Sequence, residues 1–189
     1  MYRAKMKHNA STITKLVQTQ YDTFQFKNKL VQTLVGFGLI FFGLFAPKEW
    51  FMPWIALFVG CVMLANINTV PKSQAKKILA QMGQKYPQSD YTFSEDSFRY
   101  YDKGDPIAYR ALIRLVEDKQ YCYLYVSEMS AYMVDKRTVT GGTVEAWMDF
   151  LSRKTDLSWT RPASLLTFRL KDLFPKKERD HDGPRLKPH

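Results

Sequence analysis

The stretch LVQTLVGFGLIFFGLFAP (Leu30–Pro47), followed almost at once by WFMPWIALFVGCVMLANINTVP (Trp50–Pro71), decides the fold class. Neither run carries a charge, and only Lys48 and Glu49 stand between them. As helices, the 18 and 22 residues would reach about 27 and 33 Å at roughly 1.5 Å per residue. Those lengths bracket the roughly 30 Å hydrocarbon core of a bilayer. An amphipathic helix from a soluble core would show polar residues every three or four positions. Here Gln32 and Thr33 sit at one end and Asn66, Asn68 and Thr69 at the other, at headgroup level. Trp50 and Trp54 flank the turn, as aromatic residues do at a membrane interface. Gly36 and Gly43 fall on one helical face, where they admit a close-packed second helix. The pattern predicts two transmembrane helices forming a hairpin over residues 30–70. A cleaved signal peptide does not fit, because the first run begins late and a second follows directly.

Charge sets the expected orientation. Arg3, Lys5, Lys7, Lys15, Lys27 and Lys29 precede the first span against Asp22 alone, and Lys72, Lys76, Lys77 and Lys85 follow the second before any acid. Basic flanks stay cytoplasmic, so both termini are expected inside the cell (inner) membrane and the turn outside. Two cysteines, Cys61 in a span and Cys122 in an apolar strand, agree with a reducing compartment. The net charge of +10 is concentrated beside the membrane and in the tail. Topology and anionic lipid account for it, and no nucleic-acid-binding motif accompanies it.

The remaining chain reads in four parts. Residues 1–29 form a cytoplasmic lead in which Thr12–Gln18 is β-prone. Thr19 and Asp22 resemble a capping box for a helix starting near Gln20. Because both ends of the hairpin are expected on the cytoplasmic side, that strand is in a position to pair with the later domain. Residues 71–90 form a linker helix, with Ala75, Ile78, Leu79 and Met82 at helical spacing and Lys72, Lys76 and Lys77 on the surface. Packing on the next domain and lying on the inner leaflet both fit this helix. Residues 91–155 switch to short strands separated by polar turns: Tyr91–Phe93, Phe98–Tyr101, Ala108–Val116, Tyr121–Val126 and Ala131–Val134. Thr143 then caps a helix from Val144 to about Arg153. This is a small α+β domain, an antiparallel sheet closed by one C-terminal helix, the plan of a pleckstrin-homology (PH)-like domain. Residues 156–189 form a tail with a short amphipathic helix, in which Leu166 and Phe168 are candidates for membrane-surface contact, and a charged, disordered end.

The order of these elements, with Phe98-Arg99-Tyr100-Tyr101, Tyr121–Val126, Tyr132–Lys136, Gly141-Gly142 and the tryptophan-bearing helix, resembles the YcxB-like family of small bacterial membrane proteins over roughly residues 10–155. The resemblance implies a PH-like cytoplasmic domain. The family's biochemical role is undefined, so no residue roles carry over.

Chemistry is sparse. His8, His181 and His189 lie in terminal segments, no cysteine pair has metal-ligand spacing, and there is no P-loop. Gly141-Gly142 reads as a tight turn before a helix. No catalytic residue, cofactor or metal is expected, and the chain is expected not to be an enzyme. Tyr121, Tyr123 and Tyr125 alternate onto one strand face. They serve either as packing or, with Arg99 or Arg110 nearby, as an exposed interaction surface. The expected partners are the lipid bilayer and a membrane or cytoplasmic protein, not nucleic acid. Three roles remain open: a membrane-anchored module for protein contacts, a sensor of anionic lipid, and an accessory subunit of a transporter or signalling complex.

Overall fold

In the computed structural model, which describes residues 1–47, 49, 51–83, 86–101 and 104–162, Tyr2–Lys7 forms strand β1. Its residues alternate: Ala4 and Met6 are buried, while Arg3, Lys5 and Lys7 are exposed. β1 pairs antiparallel with β2 (Gln88–Phe93), placing Lys7 opposite Gln88 and Tyr2 opposite Phe93. The His8 N–H donates to the Pro87 carbonyl at 3.2 Å. Two neighbouring strands therefore bracket the four helices that lie between residues 10 and 82.

That helical part starts earlier than the sequence predicts. The β-prone Thr12–Gln18 lies inside α1 (Ala10–Phe24), not in a strand, and the helix begins at Ala10 instead of near Gln20. Asn9 Oδ1 accepts from the Thr12 N–H at 2.9 Å, and Thr12 Oγ1 accepts from the Asn9 N–H at 2.8 Å, which closes a capping box. Helical phase then buries Thr12, Ile13, Val17 and Thr19 together, and packing overrides β propensity.

Helix α2 (Phe26–Phe45) runs antiparallel to α3 (Met52–Ala65), and α4 (Thr69–Met82) follows. The single helix expected over 50–71 is broken. Asn66 turns its Nδ2 back onto the Val62 carbonyl at 2.9 Å and receives the Thr69 hydroxyl at 3.2 Å. Side chains that compete for backbone carbonyls in this way end helices, and α4 leaves at 42° to α3. α4 packs along α1, so the two extend the hairpin as a stalk. Gly83, at φ +53°, terminates α4 in the left-handed region that glycine enters without steric cost.

The strands form two sheets where one was expected. The first has the order β1-β2-β3-β4, with β3 Ser97–Tyr100 and β4 Ile107–Ala108. The second has the order β7-β6-β5-β8, with β5 Arg114–Glu117, β6 Tyr121–Ser127, β7 Ser130–Asp135 and β8 Trp159–Thr160. β8 runs parallel to β5 and extends the domain past residue 155. The strand expected over Ala108–Val116 is cut by a 3-10 turn at Tyr109–Ala111. There the Tyr109 hydroxyl donates to the Ser94 carbonyl at 2.8 Å, and Leu112 is buried. A seam joins the sheets, because Arg3 and Thr140 exchange N–H···O bonds at 3.0 and 2.8 Å. Helix α5 (Val144–Thr155), capped by Thr143 Oγ1 on the Ala146 N–H, drives Trp147 and Leu151 into the core. Trp147 meets Phe93 edge-on at 5.2 Å. The architecture is α+β.

Candidate functional site

Three features stand out: the helical hairpin, its junction with the sheets, and the charged outer face of β1. In the hairpin the helices touch backbone to backbone. A Cβ on Gly43 would lie 2.7 Å from the Pro53 carbonyl oxygen and from Leu57 Cβ. On Gly36 it would lie 2.8 Å from Leu64 Cδ2, and on Gly60 2.7 Å from the Gly36 carbonyl oxygen. Gly36 and Gly43 thus pack the hairpin, joined by Gly60, which the sequence reading did not single out. The outward faces are apolar and exposed, including Phe37, Phe41, Phe45, Phe51, Trp54 and Phe58. α2 is long and apolar enough to cross a membrane, with only 17% of its apolar window buried. α3 and α4 pass the same test only as one bent pair, since the 14 residues of α3 span about 21 Å. Cys61 is exposed on this surface.

The junction is built on α1. Phe24 meets the Tyr125 ring edge-on at 5.0 Å, Lys15 lies 4.8 Å over Tyr121, and Arg114 donates to the Thr23 carbonyl at 3.1 Å. Gln20 donates to the Glu128 carbonyl at 2.7 Å, which ties the β6–β7 turn to the stalk. At the centre, Asp118 accepts from Lys15 at 2.9 Å, from the Tyr123 hydroxyl at 2.9 Å, and from the Gln120 and Tyr121 N–H groups at 2.8 Å. Burial alone would raise its pKa, but Lys15, the two N–H groups and Tyr123 together hold the carboxyl below the ordinary range. Nearby, Glu117 pairs with Lys136.

This junction corrects the tyrosine surface. Tyr123 and Tyr125 are 0% exposed and Tyr121 8%. β6 is an inner strand of its sheet, with α1 covering one face and the core the other, so no exposed platform exists there. Burial raises the Tyr123 and Tyr125 pKa values well above the usual phenol range and pushes the Cys122 thiol up to about 12. Arg99 lies exposed on β3 in the first sheet and Arg110 on the 3-10 turn, whereas the three tyrosines are on β6 in the second sheet. Lys72, Lys76 and Lys77 are exposed on α4 just past the hairpin, while Leu166 and Phe168 lie outside the described residues.

The basic lead is also redistributed. Arg3, Lys5 and Lys7 belong to the outer face of a sheet and Lys15 to the junction. Lys27 and Lys29 remain beside α2's apolar stretch, and Lys29 pairs with Asp22 at 2.9 Å. The signal for β1 was present in the strict alternation of Tyr2-Arg3-Ala4-Lys5-Met6-Lys7, though in residues of low β propensity. Two open hollows on the domain, of about 340 and 400 Å³, are lined by Tyr2 with Phe93 and Phe150, and by Tyr2 with Asp149 and Arg153. Among the described residues, no three His, Cys, Asp or Glu side chains gather to hold a metal. No family model, curated protein or solved structure matches this chain.

Proposed function

We propose that this chain is a non-enzymatic inner-membrane protein of the YcxB-like type. It carries a two-span hairpin and displays a cytoplasmic PH-like domain for protein contacts. The observation that supports this most is the exposed apolar surface of α2 and α3 around a glycine-packed contact, continuous with a stalk that holds a separately packed β domain. In water such a surface would be an aggregation liability, and in lipid it is matched to its solvent. The second span runs through α3, with Asn66 and Asn68 at the interface where α4 turns away.

The test is crosslinking in intact membranes, mild detergent extraction and identification of what travels with the chain. Recovery of one protein in defined proportion is expected. Release of the chain by alkaline carbonate would remove the membrane reading, and recovery of the chain alone would remove the adaptor reading.

A second reading, a sensor of anionic lipid, draws support from Lys72, Lys76 and Lys77 on the outer surface of α4. Each basic residue near an anionic leaflet contributes about 1 kcal/mol. Replacing all three with Gln should then abolish any preference of the stalk for phosphatidylglycerol over phosphatidylcholine nanodiscs.

A further inference from the structure

Three of the basic residues that precede the hairpin in sequence, Arg3, Lys5 and Lys7, lie in a sheet rather than beside the hairpin, which raises the question of what they face. Arg3, Lys5 and Lys7 project from one side of β1, all exposed. Cross-strand register carries that face onward: Arg3 lies opposite Thr92, and Thr92 opposite Arg99. On the other edge of β1, the Lys5 N–H donates to Thr138 Oγ1 at 2.9 Å, which brings Arg137 alongside. Arg137 is satisfied by Asp135 at 2.7 Å. Among the described residues, no ion pair engages Arg3, Lys5, Lys7 or Arg99, and Asp90, opposite Lys5 in register, pairs with none of them.

We infer that this face is a docking surface for an acidic segment of a protein partner, bound in extended form. Alternate residues of a strand stand about 6.8 Å apart on one side, so Arg3, Lys5 and Lys7 form a ladder at that spacing. An extended peptide with a carboxylate at every second residue presents the complementary ladder. Arg99, two strands from Arg3 and hence about 9.6 Å away, offers a fourth cation for a side group. The bilayer is the weaker occupant: the 15 residues of α1 place about 22 Å of helix between β1 and α2. That is more than two Debye lengths at physiological salt, about 8 Å each. Nucleic acid is also weaker, because Asp90 stands within the face and four cations fall short of the roughly 6–10 phosphate contacts of a strong binder. The inference rests on the adaptor reading and specifies the chemistry of the partner.

The experiment uses the full chain in phosphatidylcholine nanodiscs and a fluorescein-labelled peptide of six Glu-Thr repeats. A peptide of the same composition with its Glu residues in one block serves as the comparison. The expected result is binding of the alternating peptide in preference to the blocked one. The affinity should fall roughly tenfold in Arg3→Gln/Lys5→Gln/Lys7→Gln, as three exposed ion pairs would give, and fall again in high salt. Lys76→Gln/Lys77→Gln should bind as the wild type does. If the triple variant loses its circular dichroism, Arg99→Gln alone should still weaken binding about twofold to threefold.

Equal binding of the two peptides, or no loss in the ladder variants, overturns the inference. So does tighter binding of a 12-nucleotide single strand with the same losses. Quenching of a fluorophore on Lys5→Cys by spin-labelled lipid in phosphatidylglycerol nanodiscs would assign the face to the membrane and overturn it as well. A crosslinked partner recovered unchanged with the ladder variant would overturn this inference alone and leave the adaptor reading standing.

Discussion

At the scale of single residues, the hairpin distinguishes three glycines from a fourth. Gly43 has backbone atoms of α3 within 2.8 Å of where a Cβ would sit, whereas Gly38 has nothing within 4 Å. Gly43→Leu should therefore push the helices apart and cost about 1–3 kcal/mol, as overpacking does. Gly38→Leu should be neutral or slightly stabilising, gaining up to about 1 kcal/mol of helix propensity. Thermal unfolding in bicelles reads both, and equal effects would contradict the packing described. Gly36 and Gly43 were legible in the sequence because small residues at helical spacing in an apolar run have few other uses. Gly60 was not, since the sequence does not give the register between the helices. The cysteines make a second contrast. Cys122 is buried at 0% exposure with its thiol pushed up to about 12, so a maleimide at pH 8 should label it only after denaturation. In membranes Cys61 should react with a lipid-soluble maleimide and resist a charged one, as mass spectrometry of the labelled chain would show.

At the scale of elements, α1 decides how the parts are joined. Its sequence misled because Thr12, Ile13, Thr14 and Val17 favour strands, and the competing signals were a single capping residue and a helical stripe. Conversely β1, built from Arg, Ala, Lys and Met, hides its strand in alternation alone. The tyrosines of β6 left two readings open because a strand buried on both sides and one bearing an aromatic face share a composition. Only the position of α1 separates them. Helix α5 was plain, since cap, periodicity and length agreed, and α2 was legible from its length and apolarity, whereas the break after α3 was not.

The Asp118 junction gives α1 a measurable signature. The carboxyl's folded pKa lies below its unfolded value of about 3.9. Its stabilisation is therefore complete above that value and is lost as pH falls through the folded pKa. Urea unfolding should show an acid-side loss of stability that is reduced in Asp118→Asn. Some loss should remain, because Arg137 holds the Asp135 carboxyl low in the same sense. An unchanged acid profile in Asp118→Asn would show that the Lys15–Asp118–Tyr123 cluster does not bear on stability.

At the scale of the whole molecule, the helices are an insertion between strands that are partners. Lys7 and Gln88 face each other across the sheet, so whatever leaves at one must come back to the other. For the two-span reading this puts both ends of the hairpin on one side of the membrane independently of charge, and leaves the choice of side to the basic flanks. A membrane-impermeant maleimide added to intact spheroplasts should modify Phe51→Cys, in the turn, and spare Lys5→Cys until the membrane is opened. Labelling of Lys5→Cys from outside would reverse the orientation. The expectation of a cytoplasmic side rests on the basic flanks, yet four of the six basic residues that precede the first span belong to the folded domain and its junction.

The pairing of β1 with β2 also bears on how the protein is made. β1 leaves the ribosome before the helices do and has no partner until more than seventy further residues, both apolar runs among them, have followed. If only one run entered the bilayer, the two strands would emerge on opposite sides. The first sheet would then never close, and Ala4, Met6, Tyr91 and Phe93 would stay bare. In the two-span reading, completion of the β domain thus doubles as a report that both runs entered the membrane. A molecule inserted halfway would be marked for quality-control proteases by its own unfinished sheet.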